Sequence, residues 1–162
     1  MKARKRSLAV SLVMVAAITA VAPQSSFGAG EGRAIAIVVA KSFPMEEMSF
    51  GDLKRLYLGN TIVAGGKTLV PLTYPKNTPE RRIFDSAVLG MSTDEVGRYW
   101  IDRRIRGQSG PPKSIESADV ALRVISKLSG ALGFVRADAT SQDVKVLKID
   151  GKLPGDPGYR VR

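Results

Sequence analysis

Asn77, Thr78 and Arg81 have the clearest chemical potential in this sequence. They stand where a strand pattern, Lys67 to Tyr74 (KTLVPLTY), passes through Pro75 to Asn77 into a helix pattern opening on Thr78-Pro79. A helix start leaves backbone N–H groups without intrahelical partners and carries about half a positive charge. A phosphate or sulfate can therefore seat there. Asn77 and Thr78 would add side-chain donors, and Lys76 and Arg81 would add charge. A second reading of the same residues is that Thr78 only caps its own helix. From sequence both stay open.

Arg98, Arg103, Arg104, Arg106 and Lys113 form a second basic group. Positions 98 to 106 of one helix cannot all share a face, so a solvated basic surface is one reading. The other is that Arg106 and Ser109, in the loop Gly107-Gln108-Ser109-Gly110, reach the same cleft as Thr78. No nucleic-acid partner is expected, because the aromatic residues do not interleave with the basic ones. Tyr99 and Trp100 read as core and its margin.

The chain has no cysteine and no histidine. Zinc sites usually draw on both residue types. Nucleophile systems that need a histidine base cannot be built. The acidic residues are scattered, so no carboxylate pair suggests itself. No metal, no cofactor and no enzymatic activity are expected.

The elements that would position these residues can be read from periodicity and caps. Ala34 to Ala40 (AIAIVVA) is a buried strand pattern. Ser49 offers an N-cap oxygen to a helix carrying Leu53, Leu56 and Tyr57 and stopped by Gly59. In Lys67–Tyr74, Pro71 points to an edge or irregular stretch. The helix after Thr78 shows an apolar stripe of Ile83, Phe84, Ala87 and Val88, closed by Gly90. Ser92 and Glu95 form a capping box for a helix to about Arg106 that should bury Val96, Trp100 and Ile101. Ser117 caps a further helix with Ala121, Val124, Ile125 and Leu128 on one face. Ala131 to Val135 and Val144 to Ile149 are the last strands. This alternation implies an α/β fold, a mixed sheet flanked by helices.

The first residues bear on compartment. Lys2, Arg4, Lys5 and Arg6 precede an uncharged apolar run, Leu8 to Ala22, and then a polar, small-residue stretch to Gly28. That is the pattern of a secretory signal peptide. The run is short for a bilayer, which asks for about 20 residues. An uncleaved N-terminal anchor is the competing reading. The expected division is a signal peptide over 1–29, an α/β domain over 30–150 and a loose Gly- and Pro-rich tail over 151–162. The chain of 162 residues carries a formal charge of +10. The leader holds four of the positives and no acid, which leaves about +6, a balance that suits an anionic ligand or surface.

Several segments, taken in order, resemble the phosphate-type periplasmic substrate-binding proteins of ABC transporters. They are AIAIVVAKSFP, MSFGDLKRLYLGN, TLVPLTYPKNTPERRIF, GRYWIDRRIRGQSGPPK and SGALGFV. The resemblance spans about Ile35 to Ile149 and implies one lobe of a type II periplasmic binding protein. It places Thr78, Pro79 and Glu80 where those proteins carry Ser-Gly-Thr at the helix start, and Tyr74 where they carry an arginine. Pro79 removes a backbone donor and Glu80 brings a negative charge.

The function implied is noncatalytic recognition of an anionic solute such as phosphate, in the periplasm, for transport or sensing, with a membrane transporter or sensor as partner. The site residues would be Asn77, Thr78 and Arg81, then Arg106 and Ser109. The alternative is a ligand-free interaction module that docks on a membrane sensor, porin or transporter.

Overall fold

The computed structural model describes residues 34–162. The expected signal peptide, 1–29, lies outside the described residues.

Six consecutive apolar residues form β1 (Ile35–Ala40), buried along its whole length. Burial on both faces requires layers on both sides, and the later elements provide them. A two-residue strand β2 (Glu47–Met48) leads to helix α1 (Phe50–Tyr57). Ser49 caps α1 as expected, its hydroxyl oxygen accepting the Asp52 N–H at 3.0 Å.

The expected strand over 67–74 is two strands. β3 (Val63–Ala64) and β4 (Lys67–Thr68) pair as a hairpin. Its turn needs positive φ at both central residues, which Gly65 (φ 55°) and Gly66 (φ 73°) supply. β5 (Val70–Thr73) then enters the main sheet. Pro71 is paired only to the later strand Ala131–Arg136, as its missing N–H demands.

α2 (Pro79–Phe84) passes without a break into a π turn, Asp85–Leu89, ending at Gly90. α3 (Thr93–Ile105) starts at the expected capping box, with both Ser92–Glu95 hydrogen bonds present. β6 (Lys113–Ser114), α4 (Ala118–Lys127) and β7 (Ala131–Arg136) follow, with Ser117 capping α4. A single 3₁₀ turn, Ala137–Ala139, leads to β8 (Val144–Val146) and β9 (Lys148–Ile149).

The main sheet has the order β6-β5-β7-β1-β8. β5 lies parallel to β6 and β7, while β1 runs antiparallel to β7 and β8. This is the mixed sheet flanked by helices that the sequence implied. On one face Phe134 of β7 packs against Tyr57 of α1 and Phe84 of α2. Successive strand residues point to opposite faces, and Gly133 meets Ile125 of α4 on the other.

The strand expected over Val144–Ile149 is also two, β8 and β9, and further expectations fail. Ile101 is 62% exposed and Leu128 48% exposed. α3 turns only Val96 and Trp100 fully inward, and Leu128 falls at the end of α4 where the helix has already stopped. The tail over 151–162 is not loose at its end. Tyr159 and Val161 are buried, the Ile35 N–H donates to the Val161 carbonyl at 2.9 Å, and the Tyr159 hydroxyl donates to the Ile35 carbonyl at 2.6 Å. These bonds tie the C-terminus to the start of β1, whose outer backbone groups need partners.

Candidate functional site

β5 ends at Thr73, and a tight loop carries the chain to α2. The Thr78 N–H and the Thr78 hydroxyl both donate to the Pro75 carbonyl, at 3.1 and 3.0 Å. The hydroxyl is thus used backward, to close the loop, and makes no side-chain cap on α2. Pro79 fills the first helical position and Glu80 the first turn. Asn77 is exposed and Thr78 half-buried at the rim.

Arg81 points the other way. Its Nε donates to both carboxylate oxygens of Asp85, at 2.8 and 2.7 Å, and its Nη1 donates to the Thr73 hydroxyl and the Tyr74 carbonyl. Asp85 is 1% exposed, so this is a buried ion pair. Burial pushes the Asp85 carboxyl up, opposed by the hydrogen bonds and charge of Arg81 and by the Thr93 hydroxyl. The guanidinium charge is neutralised internally. What Arg81 does is fasten the end of β5 to α2, beneath the loop that carries Asn77.

The exposed neighbour Arg82 takes the outward position. A cleft of about 540 Å³ opens beside Asn77, with Lys76, Arg82, Ser86, Ser92 and Thr93 among its walls. Asp94 brings its one carboxylate, 3.9 Å from the Lys76 ammonium. Two cations, the Asn77 amide and the Ser86 hydroxyl against one carboxylate make a surface that favours anions, while the Ser92 hydroxyl is committed to Glu95 and the Thr93 hydroxyl is buried. The apolar stripe of α2 contained the signal for this swap. Ile83, Phe84, Ala87 and Val88 set the inner face, which leaves Arg82 and Ser86, one turn apart, on the outer one.

Tyr74, the residue in place of the expected arginine, is a core residue. Its ring stands edge-on to Phe134 at 5.1 Å, and burial raises its hydroxyl above the ordinary phenol range.

Ser109 and Arg106 lie elsewhere. Ser109 lines a separate cleft of about 260 Å³ with Gly59, Asn60, Trp100 and Lys113. Its hydroxyl donates to the Gly59 carbonyl at 3.4 Å and accepts from Arg103, not Arg106, at 3.3 Å. The Arg103 guanidinium also stands 5.6 Å from the centre of the Trp100 ring. Arg106 pairs with Asp102 on the solvent side of α3. The five candidate residues therefore fall in four places, and only Asn77 and Thr78 share one.

Gly59 is the knot of that second cleft. Its φ is 92°, and a Cβ there would come within 3.0 Å of Trp100 and 3.1 Å of Arg103 and Ser109. Gly59→Ala is expected to cost about 1–3 kcal/mol, through backbone strain and overpacking. Thermal unfolding reads this; a loss below about 0.5 kcal/mol would show that the three neighbours yield freely.

A third, apolar hollow of about 480 Å³ is lined by Ala36, Val146 and Leu153 and holds none of the candidate residues. Among the described residues no group of three His, Cys, Asp or Glu side chains could hold a metal ion. No helix among them is long and apolar enough to cross a membrane.

No family model matches the sequence, and neither does any curated protein. Solved structures do match the fold. An ABC-type phosphate transport receptor from Vibrio cholerae superposes with a TM-score of 0.60 at 17% identity, over 75% of this chain and 48% of that one. A putative phosphate ABC transporter substrate-binding protein with bound phosphate, from Clostridium perfringens, gives 0.61 at 16% identity, over 75% and 46%. PstS from Borrelia burgdorferi gives 0.55 at 12% identity, over 75% and 49%. This chain spans about half the length of each. At such identities the likeness establishes the fold alone: the described chain has the architecture of about half of each of these structures.

Proposed function

We propose that this protein is a noncatalytic, exported binding lobe that recognises an anionic solute, phosphate first among the candidates, for transport or sensing at a membrane. The observation that carries this reading is the cleft beside Asn77, lined by Lys76, Arg82 and Ser86, on a fold shared with phosphate receptors. Asn77 and Thr78 contribute from the loop. Arg81 serves by holding that loop in place. Arg106 and Ser109 are not part of this site. The leader pattern in residues 1–29 supports export, and a membrane transporter or sensor is the proposed partner.

The cleft is open on one side. A tight site normally buries most of its ligand, so affinity is expected to be modest. Glu80 and the missing N–H of Pro79 pull the same way. Those two residues favour the second reading, a ligand-free interaction module, and one titration separates the two. Calorimetry with phosphate, and sulfate as control, is run at low and at physiological salt. Saturable phosphate binding is expected to survive physiological salt. Lys76→Ala/Arg82→Ala should weaken it about tenfold or more, as expected for lost charge-assisted hydrogen bonds. Equal heats for both anions that salt abolishes together would mean a bare basic surface, and the interaction module would replace this reading.

A further inference from the structure

Among the described residues, the outer face of α3 is uncovered and carries two isoleucines among charged side chains. Ile101 is 62% exposed and Ile105 80% exposed, one helical turn apart. Scattered exposed apolar residues are ordinary; two on one line of one helix form a patch. Gly97 lies one turn before Ile101 on the same face, and nothing comes within 4 Å of the position a Cβ would take there. The patch is therefore a bulky knob beside an open notch. Asp94 and Arg104 flank it. Arg104 forms no ion pair among the described residues, and Asp94 reaches only Lys76, at 3.9 Å, between two largely exposed side chains.

We propose that this face is a self-docking surface, on which a second copy of the chain lays its own α3 antiparallel about a two-fold axis level with Tyr99. Tyr99 is the midpoint of Gly97 and Ile101, and also of Asp94 and Arg104. One axis therefore does two things. It sets Ile101 of each copy into the Gly97 notch of the other, and it brings Asp94 of each copy opposite Arg104 of the other. The two ion pairs lie about 15 Å apart along the helix and bracket the apolar contact, the arrangement of an apolar centre and a charged rim. The contact is isologous, so it closes at two copies. A parallel pairing would set Asp94 against Asp94 and Arg104 against Arg104, which repel. Charge complementarity thus selects both the occupant and its direction. One helix per copy makes a small interface, and small interfaces associate weakly.

Sedimentation velocity of the full chain, from about 1 to about 200 μM, should show a reversible monomer–dimer equilibrium with a dissociation constant in the micromolar range. Asp94→Arg is expected to weaken the dimer about tenfold or more by setting arginine against arginine, and Arg104→Asp to do the same. Combining the two substitutions restores the opposite charges and should return the affinity to within about threefold of the parent. Ile101→Glu should abolish association. Circular dichroism and melting temperature confirm folding of each variant, and all three sites face solvent. A monomer at every concentration would overturn the proposal and leave the face to a different partner. A dimer indifferent to the single substitutions would overturn it too, as would failure of the double variant to recover.

Discussion

Arg81→Ala is expected to destabilise the fold by about 3 kcal/mol at neutral pH, which for a domain of this size is a fall of roughly 10 °C in melting temperature. The substitution leaves Asp85, 1% exposed, as a buried charge without its partner. The loss has a pH signature. Burial already raises the folded-state pKa of Asp85 above 3.8, and Arg81 is the chief force opposing that rise. Without Arg81 the carboxyl moves further up. A native state that holds its proton more tightly than the unfolded chain loses stability as pH rises above the unfolded pKa. The deficit of Arg81→Ala should therefore be largest at pH 7 and shrink as pH falls toward 4, where Asp85 takes up a proton in the native state. A deficit unchanged between pH 7 and pH 4.5 would mean lost packing of the arginine stem rather than a stranded charge. Arg81→Met/Asp85→Leu removes both charges and should recover most of the stability, because an apolar pair of similar volume meets no desolvation cost.

Phe134→Ala is expected to cost about 3–5 kcal/mol, read as a lower denaturation midpoint with an unchanged slope. Phe134 is 1% exposed and lies at the centre of an aromatic cluster. Its ring stacks on Phe84 at 4.0 Å, stands edge-on to Tyr74 at 5.1 Å and lies tilted to Tyr57 at 5.9 Å. Removing it takes away the shared neighbour of α1, α2 and the end of β5 at once. The cluster also bears on the site. The Tyr57 hydroxyl donates to the Leu72 carbonyl at 2.8 Å, which fixes β5 just before the loop carrying Asn77. Phe134→Leu retains most of the volume and should cost less than about 2 kcal/mol. If alanine and leucine cost the same, the loss lies in the ring contacts rather than in apolar burial, which leucine largely retains.

The sequence by itself determined the helices, the central strands and their order. β1 follows from six consecutive apolar residues, α1 from Ser49, α3 from the Ser92–Glu95 capping box and α4 from Ser117. These signals are local. A cap acts within one turn, and a periodic stripe repeats within two, so neither needs the rest of the molecule. The mixed sheet followed from that order, and the likeness to a binding-protein lobe from the resemblance of particular segments.

Only the tertiary structure decided which way individual side chains face. Ile101 sits one turn from Gly97 and next to Trp100, and its type alone argues for burial. It is exposed because α3 leans on the core through Val96 and Trp100, and a helix resting on one edge cannot bury both sides. Arg81 stands three residues after a helix start, as a ligand-binding arginine would, yet Asp85 draws it inward and Arg82 takes the outer position. The tail looked loose by composition, and it is held because β1 presents backbone groups that only Tyr159 and Val161 come near enough to satisfy. For the tail the outcome rests on contacts between residues far apart in sequence; for Arg81 the partner Asp85 is only four residues away, and what the tertiary structure adds is the burial of that pair. Free energy from such contacts has no trace in local spacing, so sequence could name the candidate residues but could not assemble them into one site.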